Sequence, residues 1–250
     1  MKQVVVITGS GGGIGRSLVK TYLDADYFVI GLDRKPGEVL KPNSHVEIEV
    51  GLLLLSKDER YRAEIISKIK RSIPKRLGKL VVINNAAAQI LKPISEIEWE
   101  DWENSFAVNA VAPFFLVQGL IPLLKLANGH VINISSIHAR LTKANFSCYA
   151  SSKSALESVT RSLALELSAH GIAINAIAPA AISTDMLKAG FLGAAEKLRE
   201  LEDYHPTKSI GTPEQLSAFV KAITDQHVGF LTGGVLEFNG GIGARLHDPS

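Results

Sequence analysis

Val4-Val5-Val6-Ile7-Thr8-Gly9-Ser10-Gly11-Gly12-Gly13-Ile14-Gly15 is the stretch on which the fold turns. Four consecutive apolar residues of high β-propensity read as a strand buried on both faces, and Ile14, Leu18 and Tyr22 then recur at helical spacing. Between them lie five glycines in seven residues. A glycine-rich turn is a phosphate site only between a strand and a helix, because there the helix N-terminus offers unpaired amides and the missing Cβ atoms let a pyrophosphate reach them. Gly9, Ser10, Gly13, Ile14 and Gly15 are therefore candidate cofactor residues, with Gly15 also allowing close helix packing on the sheet. No Gly-Lys-Ser/Thr follows, which argues against a nucleoside-triphosphate loop.

The same alternation continues outward. Strands are expected at Tyr27 to Asp33, His45 to Val50, Leu80 to Ile83, Val131 to Ser135, Ile172 to Ile177 and Val235 to Asn239. Helical patterns fall between them: Ile65, Ile66, Ile69 and Ile73; a long stretch from Trp102 to Leu126 in which Pro113 and Pro122 should kink or break the helix; and Tyr149 to Ser168. This order predicts a single α/β domain over residues 1–250, one doubly wound parallel sheet (a Rossmann fold) of about seven strands with helices on both faces. Asp33 ends the second strand eighteen residues beyond Gly15, where a carboxylate can accept from both adenosine ribose hydroxyls and repel a 2′-phosphate. With Gly12 standing where an NADP-binding turn often carries Lys or Arg, the expected cofactor is NAD in preference to NADP, although Arg34 could stack on adenine or tolerate a phosphate.

Composition bounds the partners. Of 250 residues, 46% are hydrophobic and 21% charged, enough for a large core and unlike a disordered chain. The formal net charge is only +2, and the basic residues are scattered, as around Lys20 to Lys41 and Lys68 to Arg76, so no nucleic-acid surface is expected. Cys148 is the single cysteine, which excludes an internal disulfide and a cysteine zinc cage and suits a cytoplasmic location. It reads as a small buried hydrophobe. No signal peptide is evident at Met1-Lys2-Gln3, the apolar run Leu52 to Leu55 is far too short to span a bilayer, and no membrane partner or metal site is expected.

Tyr149-Ala150-Ser151-Ser152-Lys153 supplies the chemistry. Tyr149 and Lys153 are four apart and share a helix face. A phenol ordinarily titrates near 10, and a neighbouring ammonium should favour its phenolate, making Tyr149 a general acid/base for an alcohol or ketone. Ser136, thirteen residues earlier at a strand end, can hydrogen-bond the substrate oxygen as charge develops on it. With Asn84-Asn85-Ala86-Ala87, Asn109, Asn133-Ile134-Ser135-Ser136, Asn175-Ala176-Ile177-Ala178-Pro179, Thr184, Phe230-Leu231-Thr232-Gly233-Gly234 and Asn239-Gly240-Gly241, the chain resembles, almost end to end, the compact branch of the short-chain dehydrogenase/reductase family, whose members are roughly 250 residues long. The resemblance implies hydride transfer between NAD(H) and a secondary alcohol or ketone. It assigns Asn109 to a water-linked proton relay, Lys153 to the nicotinamide ribose hydroxyls and Thr184 to the carboxamide, and it puts Asn85, Ala86, Pro179 and Ile182 along the cofactor. A homo-oligomer, tetramer or dimer, is also implied, with the apolar 113–124 stretch partly between subunits.

Three positions depart from the family pattern. Ala87 stands where Asn-Asn-Ala-Gly is usual, Ala180 where Pro-Gly is common, and Gly51 where an Asp usually meets the adenine amino group. They motivate an alternative, an NAD(H)-binding regulatory protein with little turnover; nucleotide-sugar epimerase or dehydratase chemistry would need a longer substrate domain after the sixth strand. Gln89 and His138 overlook the expected hydride site. They resemble the carboxylate-binding residues of 3-hydroxybutyrate dehydrogenases, but Phe146 occupies the place of that group's lysine. Residues 183–210, with small side chains at Ala189, Gly190, Gly193, Ala194 and Ala195, read as a substrate lid. Trp99 and Trp102 are expected to cap a helix or an interface.

Overall fold

The computed structural model describes residues 1–185, 187, 191, 194–225 and 229–245. Seven strands form one parallel sheet: β1 (Lys2–Thr8), β2 (Phe28–Asp33), β3 (His45–Glu49), β4 (Leu77–Asn84), β5 (His130–Ile134), β6 (Ala173–Pro179) and β7 (Val235–Phe238), in the order β3-β2-β1-β4-β5-β6-β7. The order reverses between β1 and β4, so the two strands that leave in opposite directions open a crevice at their carboxyl ends. Each strand found includes most of its expected stretch, with ends shifted by one to three residues; β4 begins at Leu77 because Lys2 and Gln3 pair with Leu77 and Lys79 across an irregular register.

The strands are buried on both faces because their side chains alternate between two cores. Val4, Val6, Leu80, Val82, Val131 and Ile174 face one core, shared with α3 (Glu59–Ser72), α5 (Ala112–Leu126) and α6 (Ser147–Leu167). Val5, Ile7, Val81, Ile83, Ile132 and Ile177 face the other, shared with α1 (Gly13–Asp24) and α8 (Pro213–Asp225). Tyr22 on α1 and Thr224 on α8 join hydroxyl to hydroxyl at 2.5 Å within that second core.

Two helical regions differ from the sequence expectation. The run Leu52 to Leu55 forms α2 (Leu52–Lys57), a short helix with Leu55 buried and Leu54 exposed. It is not the longest apolar stretch: Trp99–Leu126 spans 28 residues, with an 18-residue window of mean hydropathy 1.8, and half of that window is buried inside the fold. This stretch is α4 (Trp99–Phe106), then a π-helical turn at Ala107–Val111, then α5. Pro113 explains the turn. In an α-helix its nitrogen would donate to the Asn109 carbonyl, and proline has no N–H to give, so the backbone widens and the Ala112 N–H reaches back to Ala107. Pro122 lies within α5 without ending it. Glu98 begins α4, its N–H donating to Asp101 at 2.9 Å; Trp99 is exposed and Trp102 packs on Phe106 at 5.8 Å. The segment α7 (Ala195–Tyr204) follows β6, while Ala189, Gly190 and Gly193 of the expected lid lie outside the described residues.

Close packing at the first turn is a steric necessity. A Cβ on Gly15 would stand 1.8 Å from the Gly9 carbonyl oxygen, whereas one on Gly12 would stand 3.4 Å from the same atom. Gly15→Ala is therefore expected to lower stability by about 1–3 kcal/mol through backbone displacement, and Gly12→Ala to stay within about 0.5 kcal/mol of wild type. Parallel urea melts of the two variants check the contrast.

Candidate active site

The crevice edge is stitched by side chains at the strand ends. Thr8 Oγ1 accepts from the amides of Asn85 and Ala86, both at 3.0 Å, and Asn85 Nδ2 donates to the carbonyls of Thr8 and Gly9 at 3.0 and 3.2 Å. These bonds hold the loop after β4 against the glycine turn. Gly9 is left-handed (φ +68°), and Gly12, Gly13, Ile14 and Gly15 begin α1 with no side-chain cap and no acid in the first turn. Helix amides left without partners beside an unobstructed glycine turn fit a bound pyrophosphate. The Asp33 carboxylate borders the glycine turn: Oδ2 accepts from the Gly11 amide and Oδ1 from the Lys35 amide, each at 3.0 Å. Arg34 beside it is exposed. On the other side Thr184 lies against the turn, its Cβ 3.0 Å from where a Gly13 Cβ would be. Pro179 ends β6, and Ile182 forms an isolated bridge with Gly211.

Ser136, Tyr149 and Lys153 come together above β5. Tyr149 and Lys153 occupy successive turns of α6, both buried, and Lys153 Nζ donates to the Ile134 carbonyl at 2.7 Å. The Lys153 ammonium is 5.8 Å from the Tyr149 ring centroid, and the Ser136 hydroxyl, which accepts from the His138 amide at 3.2 Å, lies beside the Tyr149 side chain. Asn109 sits in the π-helical turn and is fully buried. Its Oδ1 accepts from the Ala88 amide at 2.7 Å, while Nδ2 donates to the Ala88 carbonyl at 2.9 Å and to Ser152 Oγ at 2.8 Å. Ser152 Oγ in turn donates to the Tyr149 carbonyl. Asn109 thus clamps the loop after β4 to the helix that carries Tyr149 and Lys153.

The electrostatics correct one expectation. Burial raises the Tyr149 phenol above its ordinary value, opposed by the Ser136 hydrogen bond, and burial pushes Lys153 down to about 7. In the protein alone both groups are driven toward neutrality, so proximity to Lys153 does not by itself produce a phenolate. His138 stacks on Phe146 (4.1 Å between centroids) and meets Tyr149 edge-on at 6.2 Å. Desolvation and the Lys143 charge push it down to about 4, leaving a neutral imidazole at pH 7. Gln89 lies exposed on the loop after β4. Gly51 begins α2, and a Cβ there would meet only Leu54 atoms at 3.7 Å or more, so nothing steric excludes an acid at that position. Cys148 is buried.

Several organising residues escape sequence reading. Asn84 Nδ2 donates to Asn133 Oδ1 and Asn133 Nδ2 to Thr160 Oγ1, both at 2.8 Å, tying β4, β5 and α6 in line. Ser135 donates to the buried Glu157 at 3.0 Å. Thr8, Ser152, Thr160 and Glu157 belong to no recognisable spacing; only polar residues on otherwise apolar strand ends and helix faces hint at them.

A doubly wound parallel sheet with an uncapped glycine turn at its switch point is the architecture of dinucleotide-binding α/β proteins. The chain belongs to the short-chain dehydrogenase/reductase family of oxidoreductases: the family described as short chain dehydrogenase matches residues 3–193. It is 31% identical over 255 residues to protein FixR of Bradyrhizobium diazoefficiens, covering 96% of this chain and 86% of that one. Among solved structures it resembles the ligand-free aldohexose dehydrogenase of Thermoplasma acidophilum (TM-score 0.87, 27% identity, 100% of this chain and 98% of that one). It also resembles ElxO with NADP bound (TM-score 0.86, 26% identity, 98% and 100%).

Linkage gives a sign for Lys153. Its folded value, about 7, is below the unfolded 10.5, so between these limits the unfolded chain binds more protons and stability rises with pH. Relative to Lys153→Met, wild type is expected to gain about 1 kcal/mol per pH unit between pH 7.5 and 10, measured by urea melts without cofactor.

Proposed function

We propose that the protein oxidises a secondary alcohol, or reduces the corresponding ketone, with NAD(H). The observation that carries this reading is the convergence of Ser136, Tyr149 and Lys153 at the carboxyl end of β5, beside a glycine turn whose helix amides are free to bind phosphate. The nicotinamide supplies the hydride acceptor or donor when bound. Gly9 to Gly15 would hold the pyrophosphate, Asp33 the adenosine ribose, Lys153 the nicotinamide ribose and Thr184 the carboxamide, with Asn85, Ala86, Pro179 and Ile182 along the cofactor.

The chain's own residues handle orientation and the proton. Ser136 and Tyr149 hydroxyls converge on the substrate oxygen. In the reductive direction Tyr149 Oη gives up its proton to that oxygen; in the oxidative direction it takes one. Because burial opposes the phenolate, the negative form must be stabilised at the moment of transfer. Lys153, already oriented by the Ile134 carbonyl, is the cation placed to do so. The Asn109 carbonyl, which Pro113 has no N–H to meet, would accept from a water that returns the proton to solvent. His138 and Phe146 form an aromatic wall beside Tyr149. A neutral imidazole there offers a hydrogen bond and no charge, which favours an uncharged polar or apolar substituent on the substrate over a carboxylate. The segment 183–210 is read as the lid over this wall.

Tyr149→Phe is expected to lower kcat by about 10²–10⁴ while leaving NADH affinity within about 3-fold of wild type, read from nicotinamide absorbance and fluorescence titration. NADH should bind more tightly than NADPH. Cofactor binding with no turnover across a broad alcohol and ketone panel would instead favour the regulatory reading.

A further inference from the structure

A second carboxylate lies beneath the cofactor turn. Glu47, on β3, pairs in register with Gly31 on β2. A Cβ at Gly31 would stand 2.0 Å from Glu47 Oε1, so the glycine leaves the gap through which this side chain crosses β2. Glu47 Oε2 accepts from Ser10 Oγ at 2.7 Å, inside the turn, and Oε1 pairs with His45 Nε2 at 2.7 Å. His45 Nδ1 accepts from the Leu40 amide at 3.0 Å. The side chains of His45 and Glu47 are 1% and 5% exposed, and Ser10 is equally buried.

The direction of every bond is determined. The Leu40 amide can only donate, so Nδ1 is the accepting nitrogen and Nε2 carries the hydrogen given to Glu47. Ser10 then donates its hydroxyl to the other carboxylate oxygen. Glutamate sits in the middle of the chain, so this is not a nucleophile triad: the serine is tethered rather than activated. Two consecutive turn residues are thereby held by acids from neighbouring strands, Ser10 by Glu47 and the Gly11 amide by Asp33. Gly31 and Asp33 point to the same face of β2, about 6.6 Å apart along the strand. The two carboxylates therefore lie side by side under the adenosine end, and Leu40 links them to the loop that carries Arg34 and Lys35.

We propose that Glu47 is a specificity-determining residue of the cofactor site: held by His45 and bound to Ser10 through the gap at Gly31, it adds a fixed negative charge at the adenosine end that discriminates against a 2′-phosphate. This rests on the oxidoreductase reading, and it differs from the contribution of Asp33 in acting from below the turn without touching the ribose. Glutamine can keep both contacts, its Oε1 accepting from His45 and its Nε2 donating to the Ser10 hydroxyl, so Glu47→Gln removes the charge and little else.

The test is fluorescence titration with NADH and NADPH of wild type, Glu47→Gln and Ser10→Ala, with imidazole ¹⁵N spectra of the cofactor-free protein. Glu47→Gln should narrow the NADPH/NADH Kd ratio by about 3- to 10-fold. Ser10→Ala, which keeps the charge, should leave the ratio within about 2-fold of wild type. A purely structural Glu47 would weaken both cofactors equally and leave the ratio unchanged in Glu47→Gln; that result, with wild type binding NADH, overturns this inference alone. Wild type binding neither cofactor overturns the oxidoreductase reading and this inference with it. The spectra should show His45 as the Nε2–H tautomer, and an Nδ1–H tautomer overturns the arrangement directly.

Discussion

The double hydrogen bond from the Asn85 and Ala86 amides to Thr8 Oγ1 is the contact on which the site depends. A parallel ladder ends abruptly at the carboxyl edge, and the first residues beyond it have amides with no next strand to meet. At the switch point that edge is split, because β1 and β4 lead their chains to opposite faces. Thr8 closes the split from one side and Asn85 from the other. The crevice keeps its shape while the turn above it keeps its helix amides for a ligand.

Further along the edge the same problem is solved with asparagines and serines. Asn84, Asn133 and Thr160 form a buried line under the loops, and Asn109 fixes Ala88 to Ser152. Such residues cost stability when unpaired and confer one geometry when paired. Here they locate the groups of the proposed mechanism: Ser136 follows the strand that bears Asn133, and Tyr149 and Lys153 share a helix with Ser152 and Thr160. On the proposed mechanism, precision at the substrate oxygen would therefore originate in polar contacts that never touch it.

The sheet was legible in the sequence because a doubly buried parallel strand leaves an unmistakable apolar run, as in Val4 to Ile7 and Leu80 to Ile83, and because glycines between a strand and a helix have few other uses. Boundaries were less legible: α2 was hidden in Leu52 to Leu55, whose periodicity is too short to show a helix. The Pro113 signal foretold a disruption but not its form, since a missing N–H can be met by a kink, a break or a widened turn. The tyrosine and lysine were evident from spacing, yet the direction in which burial drives them was not, because desolvation depends on the α6 surroundings as a whole. Glu47 shows in the sequence only as one residue of the expected strand from His45 to Val50; its partners are 37 residues away at Ser10 and across the sheet at Gly31.

Burial of charge-bearing groups recurs at both ends of the crevice, with opposite resolution. Beneath the glycine turn Glu47 is met by two donors, and its hydrogen-bond geometry is complete in the protein alone. At the reacting end Lys153 makes one hydrogen bond to a carbonyl and is pushed down to about 7, so its ammonium is under-served by the protein. An ammonium has three donors, and ligand hydroxyls at its free positions would raise its proton affinity and strengthen its field at Tyr149. The phenol would then become the better base only with a ligand in place. On the proposed mechanism, the end that would recognise the ligand is preformed and the end that would react is completed by it, so that a reactive phenolate would not persist in the empty protein.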